Sequence, residues 1–373
     1  MSISGWGWNS YFAAMWSETE WNKTESNETE RDNATPTHAV APARIVSQQR
    51  RFWRVAGDFG ECLAEASGKL RLAAEAGAQW PAVGDWAAVE LHEPGTSVIH
   101  LMLPRRNGFV RKAPGKKLQE QIIAANLDLA LVISAFGSDF NPRRVERYLA
   151  QCWESGVRPV IVLNKADTCD DALVIASEMQ QVALGAPVYV VSALTGEGMG
   201  EIEALLKPGQ TIVALGSSGV GKSTLTNRLL GQPVQQVKEV RAQDGRGRHT
   251  TTARELFALP CGALLIDTPG LRALELWDAE DGVAQTFADI ESLSARCRFR
   301  DCRHEAEPGC AVQAALNSGA LPLARVENRS KLLREQEFLR RKVDPAAREK
   351  EKQRIKRLTR GVRQAGRDKQ SND

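Results

Sequence analysis

The chain has 373 residues, of which 42% are hydrophobic and 25% charged, and a net charge of +3 at pH 7. This length allows two or three domains with separate cores, and the composition is that of a globular protein. No apolar run approaches the roughly 20 residues that a membrane-spanning helix needs, and the N-terminus lacks a secretory signal pattern. The sequence therefore excludes an integral membrane protein, predicts no membrane partner and favours a cytoplasmic location.

The positive charge is concentrated at the C-terminus. Residues 331–373 contain 15 Lys and Arg against 7 Asp and Glu, a net charge of +8, which leaves −5 for the rest of the chain. A basic tail on a mildly acidic body favours a polyanionic partner such as RNA. A charged helix that only contacts solvent is the alternative.

The first two segments are predicted from amino-acid composition and from the alternation of apolar and polar residues. Residues 1–40 are interpreted as an N-terminal extension with a tryptophan-rich start and a polar linker. Residues 41–115 contain short alternating segments with turn residues between them, for example 43–46, 52–55, 85–89 and 97–101. This pattern predicts a small β-barrel of the OB type, with an all-β spacer as the alternative. A basic connector at 104–117 is interpreted as a domain boundary.

Residues 116–285 are predicted to form an α/β domain. Continuous apolar runs alternate with helical patterns, and such runs are typical of parallel strands that are buried on both faces. The runs are at 127–136, 159–163, 188–191, 211–215 and 263–266.

A phosphate-binding loop follows the strand at 211–215. The octapeptide Gly216-Ser217-Ser218-Gly219-Val220-Gly221-Lys222-Ser223 fits the pattern G-x-x-x-x-G-K-[ST], and Thr224 follows it. Glycines allow backbone N–H groups to approach phosphate oxygens, Lys222 supplies positive charge, and the Ser223 hydroxyl can bind Mg²⁺. A helix is expected from Lys222 to Leu230, and its N-terminus adds to the attraction for anions.

The motif Asn164-Lys165-Ala166-Asp167 selects guanine as the base. The Asp167 carboxylate can accept hydrogen bonds from both N1–H and the exocyclic amine of guanine, a donor pair that adenine lacks. Asn164 can bond the other edge of the purine, and the Lys165 stem can pack on the ring. The segment Ser192-Ala193-Leu194 follows the next strand and offers backbone N–H groups for the guanine carbonyl.

Magnesium and γ-phosphate elements come last in the chain. Asp267 ends the strand at 263–266 and is expected to hold Mg²⁺ through water, while the Gly270 N–H is expected to contact the γ-phosphate. Thr250 or Thr251 is the candidate for completing the magnesium shell. The base-reading motifs thus precede the phosphate loop, which is the reverse of the order in Ras-like GTPases. The sequence therefore predicts a circularly permuted P-loop GTPase, because domain termini that lie close together tolerate permutation.

Residues 286–373 are predicted to be a zinc-binding α-helical domain with a basic helical tail. Cys297, Cys302, His304 and Cys310 offer three thiolates and one imidazole within 14 residues, a donor set suited to a structural Zn²⁺. With all four positions filled by protein ligands, such a metal maintains shape and leaves no place for a catalytic water.

These features together resemble the RsgA (YjeQ) family of small-ribosomal-subunit-dependent GTPases. The resemblance covers about residues 40–330 and includes the run from Gly245 to Thr252. It implies that the chain acts in late maturation of the small ribosomal subunit, contacts its rRNA and hydrolyses GTP with turnover that the subunit stimulates. We expect GTP or GDP, Mg²⁺ and one structural Zn²⁺ as cofactors, and a monomer.

The catalytic group is the least defined part of the predicted site. Many GTPases orient the attacking water with a Gln after the Asp-x-x-Gly motif, but Leu271 occupies that position here. Catalysis is assigned to Lys222, Thr250, Thr251 and His249, with His249 as the candidate that positions water; its alternative role is contact with RNA or solvent. An RNA-binding assembly chaperone gated by GTP and a GTPase switch of another class remain as alternative functions.

Overall fold

The computed structural model describes residues 1–23, 39–49, 51–92, 94–112, 120–233, 254–267 and 280–343. The N-terminal segment forms a 3-10 turn at Ile3–Trp6 and two short helices, α1 (Ser10–Ser17) and α2 (Glu20–Lys23). The Asn9 side chain caps α1 by accepting two backbone N–H groups of the first turn. Most of the predicted linker, residues 24–38, lies outside the described residues.

The predicted barrel is confirmed. Its strands are β1 (Val40–Gln49), β2 (Phe52–Gly57), β3 (Gly60–Ala66), β4 (Trp86–Glu90) and β5 (Ser97–Met102), with helix α3 (Gly68–Glu75) after β3. The strands pair in the order β1-β2-β3-β5-β4, and antiparallel pairing of β4 with β1 closes the barrel. Trp53 and Trp86 are buried, so both rings pack inside the protein, whereas Phe52 is 45% exposed.

A hairpin follows the barrel where the sequence suggested a connector. Strand β6 (Gly108–Lys112) pairs antiparallel with β7 (Glu120–Ala125). Phe109 and Ile123 are buried in the core that includes residues of the α/β domain, so the hairpin has an apolar side. The basic residues at 104–117 make this apolar side hard to recognise in the sequence. Residues 113–119, with Lys116 and Lys117, lie outside the described part of the chain.

The α/β domain contains strands and helices in alternation, as predicted. The elements are β8 (Leu129–Ala135), α4 (Pro142–Glu154), β9 (Arg158–Asn164), α5 (Ala172–Val182), β10 (Val188–Val190), α6 (Met199–Leu205), β11 (Thr211–Leu215), α7 (Lys222–Leu230), β12 (Arg254–Ala258) and β13 (Leu264–Asp267). The strand order is β10-β9-β8-β11-β13-β12. All these pairings are parallel except that of β12 with β13.

Both faces of this sheet are covered. Every residue of β8 and β11 is buried, as expected for central parallel strands. Because side chains alternate along a strand, Leu131 and Ile133 enter the core on one face while Ala130 and Val132 enter the core on the other. This double burial explains why the strands appear in the sequence as continuous apolar runs.

The barrel and the α/β sheet are joined edge to edge. Strand β12 pairs antiparallel with β1, with Ser47 opposite Glu255, and Arg54 of the barrel forms an ion pair with Glu255. The fully buried Arg44 adds a second link, since it donates to the Trp6 carbonyl at 2.9 Å and to the Thr211 hydroxyl at 3.0 Å. Burial lowers the pKa of Arg44 to about 10.

The aromatic N-terminal segment packs into this junction. Phe12 is fully buried, and the Trp8 ring meets the edge of the Trp86 ring with a centroid separation of 4.7 Å. The Phe12 and Trp86 ring centroids are 5.7 Å apart. Trp6, Trp8 and Phe12 therefore pack in or against the core between barrel and α/β domain.

The C-terminal helices pack on α4. They are α8 (Glu280–Thr286), α9 (Ala288–Ser294), α10 (Ala311–Asn317) and α11 (Leu323–Val343). The contact with α8 is close, because a Cβ on Gly282 would lie 2.0 Å from the Ala150 carbonyl oxygen. Residues 344–373, which carry most of the basic tail, lie outside the described residues. Within the described chain, no helix combines the length and apolar character needed to cross a membrane.

Candidate functional site

The glycine-rich loop lies between β11 and α7, where the sequence predicted it. Gly219 and Gly221 have φ angles of 85° and 93°, a conformation that L side chains rarely adopt. Lys222 begins α7, and its Nζ donates to the carbonyls of Gly216 and Ser217. The lysine ammonium and the N-terminus of α7 therefore meet within one loop, which is suited to binding an anion.

Asn164 connects the base-reading motif to the phosphate loop. This buried side chain ends β9; its Nδ2 donates to the Val220 carbonyl at 2.8 Å, and its Oδ1 accepts the Ala193 N–H at 2.9 Å. The fit is tight, because a Cβ on Gly221 would lie 2.2 Å from Asn164 Nδ2. Three segments that are separate in the sequence thus meet at one amide.

The other residues of this motif follow Asn164 in a short turn. The Asp167 carboxylate is exposed and accepts a hydrogen bond from the Ser192 hydroxyl. Lys165 has a left-handed backbone with φ of 68°, and its Nζ lies 4.0 Å from a carboxylate oxygen of Asp139. Ala166 starts the short 3-10 turn that presents Asp167. A carboxylate and a lysine stem are available here for the edge and the face of a planar base.

Asp267 ends β13, two strands from β8 and directly beside β11. The parallel register places Val213 opposite Ile266, so Asp267 and the phosphate loop emerge at the same edge of the sheet. The ligands of open α/β sheets bind at this carboxyl edge. His249, Thr250, Thr251, Gly270 and Leu271 lie outside the described residues.

Sequence reasoning missed two side chains at this edge. Asp139 reaches Lys165 from the turn after β8. Arg228, in the last turn of α7, donates to the carbonyls of Ala193 and Leu194. Neither residue belongs to a motif, and only the folded chain places each beside its partner.

The Cys/His cluster is assembled as predicted. The ligand atoms of Cys297, Cys302, His304 and Cys310 all lie within 4.8 Å of one another. The separations are 3.9 Å from Cys297 Sγ to Cys310 Sγ and 3.6 Å from Cys297 Sγ to His304 Nδ1. The Ser294 hydroxyl is 3.1 Å from His304 Nε2, the ring nitrogen that faces away from the cluster, and thereby orients the imidazole. This donor set fits a tetrahedral structural zinc.

Glu307 organises the loop between these ligands. Its carboxylate accepts the Arg303 N–H at 2.9 Å and the Glu305 N–H at 2.9 Å. Backbone hydrogen bonds, of which that from Arg303 is the strongest influence, lower the pKa of Glu307 to about 2. The carboxylate is therefore ionised at neutral pH and maintains the turn that carries His304.

Comparison with known proteins agrees with this geometry. The chain matches the family model described as RsgA GTPase over residues 102–277. It is 41% identical to the small ribosomal subunit biogenesis GTPase RsgA of Opitutus terrae over 97% of this chain and 97% of that protein. It is 51% identical to the protein of the same name in Streptomyces avermitilis over 70% of this chain and 71% of that one.

A solved structure shares the fold. The crystal structure of YjeQ from Thermotoga maritima aligns with a TM-score of 0.60 and 27% identity, covering 80% of this chain and 98% of that one. Asn164, which begins the motif 164–167, bonds the phosphate loop that comes later in the chain. The chain belongs to the RsgA family of circularly permuted GTPases, and its activity is the hydrolysis of GTP.

Proposed function

We propose that this GTPase binds the small ribosomal subunit and acts in its late maturation, with GTP turnover that the subunit stimulates. The observation that carries the nucleotide part is the Asn164 amide, which bonds both the phosphate loop and the Ser192-Ala193-Leu194 loop. The ribosomal part is supported by the names of the relatives, which describe small ribosomal subunit biogenesis GTPases. A protein acting on ribosomal subunits is expected in the cytoplasm, and we expect it to be a monomer.

The proposed nucleotide contacts follow the chain's own motifs. Lys222 and the backbone N–H groups of the phosphate loop bind the β- and γ-phosphates, and Asp167 binds the guanine edge. Gly270 contacts the γ-phosphate. The full proposed nucleotide-binding set is Asn164, Lys165, Ala166, Asp167, Ser192, Ala193, Leu194, Gly216, Ser217, Ser218, Gly219, Val220, Gly221, Lys222, Ser223, Thr224, Asp267 and Gly270.

Magnesium would be held at the same edge of the sheet. Ser223 follows Lys222 in the first turn of α7, and Asp267 ends the neighbouring strand, so both can serve one ion together with Thr250 or Thr251. When bound, Mg²⁺ supplies charge that neutralises the phosphate oxygens.

His249 is proposed to position the attacking water, because Leu271 cannot hydrogen-bond it. We expect His249→Ala to abolish subunit-stimulated turnover while GTP affinity stays within about twofold, because the imidazole acts on water and not on the nucleotide. Lys222→Ala serves as the matched control and should weaken GTP binding itself. Unchanged stimulated turnover in the His249 variant would show that another group positions the water.

The zinc loop is proposed as an RNA-contacting surface. Arg296, Arg298, Arg300 and Arg303 are exposed, and the Arg298 guanidinium lies over the Phe299 ring at 5.6 Å from its centroid. Phe299 is itself 42% exposed, and an exposed ring among arginines suits stacked bases and phosphates. The proposed partner is rRNA of the small subunit, and the proposed metal is one structural Zn²⁺.

The proposed domain division is 1–40, 41–115, 116–285 and 286–373. The barrel closure at β1–β4 supports the second segment, and the buried cluster that contains Phe287, Ile290, Val312 and Leu332 supports the fourth. A nucleotide-gated RNA chaperone that does not depend on turnover is the second candidate, favoured by Leu271 alone. Sedimentation with small and large subunits in GTP-analogue and GDP states, together with turnover, distinguishes the candidates.

A further inference from the structure

Arg228 contacts the guanine-reading loop from the side of α7. Its Nε donates to the Ala193 carbonyl at 3.2 Å, and its Nη2 donates to the Leu194 carbonyl at 2.8 Å. One guanidinium therefore holds two successive carbonyls of the loop. We propose that Arg228 is a positioning residue that fixes the direction of the Leu194 N–H group, which reads the guanine O6 atom. This inference rests on the proposed guanine-binding role of the loop.

The geometry of the peptide group carries the argument. A trans peptide is planar, and its C=O and N–H bonds point in opposite directions. Because Arg228 holds the Ala193 carbonyl, the Leu194 N–H of the same peptide must point to the other side of the loop. The Arg228 contacts thus set the orientation of an N–H group that Arg228 itself does not touch.

The neighbouring N–H groups of the loop are already engaged. The Ala193 N–H donates to Asn164 Oδ1 at 2.9 Å, and the Thr195 N–H donates to the Ser192 hydroxyl at 3.1 Å. Within the described residues, no hydrogen bond from the Leu194 N–H is found. Leu194 is also 74% exposed, so its peptide is accessible to a ligand oxygen.

At this position an arginine suits the proposed role better than a lysine would. Its guanidinium lies against Gly196, where an added Cβ would be 3.0 Å from two of the arginine nitrogens. The planar fork can donate to two carbonyls at once, whereas a lysine ammonium would act as a point charge with weaker directional control. Arg228 is on the helix that starts at Lys222, so α7 contacts the phosphate loop at one end and the base loop at the other.

The test compares GDP with the 5′-diphosphate of 2-aminopurine riboside. This analogue keeps the diphosphate and the exocyclic amine but lacks both O6 and the N1–H, so the Asp167 contact to N1–H is missing for the analogue in every variant compared. Affinities are measured by displacement of a fluorescent GDP derivative from the full chain. We expect Arg228→Ala to weaken GDP binding about tenfold, which corresponds to ~1.4 kcal/mol. The affinity for the analogue should change less than about twofold on the same scale.

Two further variants complete the comparison. Arg228→Lys should restore part of the preference for GDP, because it retains one donor. Arg71→Ala is the matched control: Arg71 is a half-exposed arginine that pairs with Glu65 on the barrel, and its loss should leave both affinities unchanged. The ratio of the two affinities is taken within one preparation, so an inactive fraction cancels. If Arg228→Ala does not fold, the ratio in Arg228→Lys and Arg228→Gln decides.

Equal weakening of both ligands would overturn the proposal, because it would assign Arg228 to the general stability of α7. Unchanged affinity for both ligands would overturn it as well. Failure of the guanine site itself has a separate signature: the wild-type chain would not prefer GDP over the analogue, and Asp167→Ala would leave GDP affinity unaffected.

Discussion

Single polar side chains connect distant segments of this protein. Asn164 bonds Val220, 56 residues later in the chain, and Ala193, 29 residues later. Arg325 does the same on the other side of the α/β domain: its Nη1 donates to the buried Glu146 of α4 at 2.7 Å. In each case one buried side chain bonds to more than one element, so individual substitutions should have large effects.

Arg325 offers the clearest stability prediction at the residue scale. Its side chain is 4% exposed, it pairs with Glu146 and Asp289, and it lies over the Phe287 ring. We expect Arg325→Met to lower the free energy of unfolding by about 3 kcal/mol, because the buried Glu146 carboxylate loses its buried ion-pair partner and keeps only Arg143 and Asn328 among the described residues. Urea unfolding followed by circular dichroism measures this change.

An exposed ion pair supplies the comparison for Arg325. Arg71 and Glu65 lie on the barrel with side chains 47% and 42% exposed. Arg71→Met should therefore change the unfolding free energy by less than about 1 kcal/mol. Equal effects of the two substitutions would mean that the Arg325 network does not hold the C-terminal helices on α4.

The elements of the α/β domain could be predicted well from the sequence. The strand at 211–215 and the helix from Lys222 to Leu230 match the structure at both ends, because the adjoining glycines Gly216, Gly221 and Gly231 mark their ends in the sequence. The β6–β7 hairpin was missed, since its buried Phe109 is surrounded by basic and turn residues. The roles of Arg228 and Arg325 had no local signal, because their partners are remote in sequence.

Helix α1 stabilises the protein through a buried aromatic side chain. Phe12 is fully buried against Trp86, whereas the neighbouring Tyr11 is 36% exposed. We expect Phe12→Ala to destabilise the protein by about 3 to 5 kcal/mol, because the lost ring leaves a cavity at the junction of barrel and α/β domain. Thermal unfolding of this variant beside Tyr11→Ala measures the difference, and similar midpoints would show that α1 is not part of the core.

The order of the loop at 297–310 is expected to depend on the proposed zinc. A zinc-selective chelator should disorder residues 297–310, because the loop would lose the metal bonds that hold its three thiols and one imidazole together. GDP affinity in excess Mg²⁺ should stay within about twofold, because Cys297, Cys302, His304 and Cys310 form the cluster and, within the described residues, no residue of the nucleotide motifs belongs to it. Protease cleavage within 297–310 and fluorescent GDP titration provide the two readouts. Loss of GDP binding on chelation would contradict a purely structural metal.

At the scale of the whole molecule, the nucleotide site lies between two attached modules. The barrel joins the edge strand β12 through β1, and the C-terminal helices join α4 through Glu146, Glu154 and Arg147. Strand β13, which ends at Asp267, pairs with β12 and so lies one strand from the barrel. Asp267, the proposed magnesium residue, therefore lies one strand away from the barrel. In the sequence it also precedes the C-terminal helices, which begin at Glu280. This arrangement suits a GTP switch that alters contact with a large partner.

The most direct test is the rate of phosphate release from GTP by the full chain alone, with purified small subunits, and with purified large subunits. We predict slow turnover alone, because Leu271 replaces the usual glutamine, and an increase of at least about tenfold that requires the small subunit. Lys222→Ala should abolish this increase, which would show that the stimulated turnover takes place at the phosphate loop of this chain. Equal stimulation by both subunits, or none by either, would contradict the assignment of this GTPase to the small ribosomal subunit.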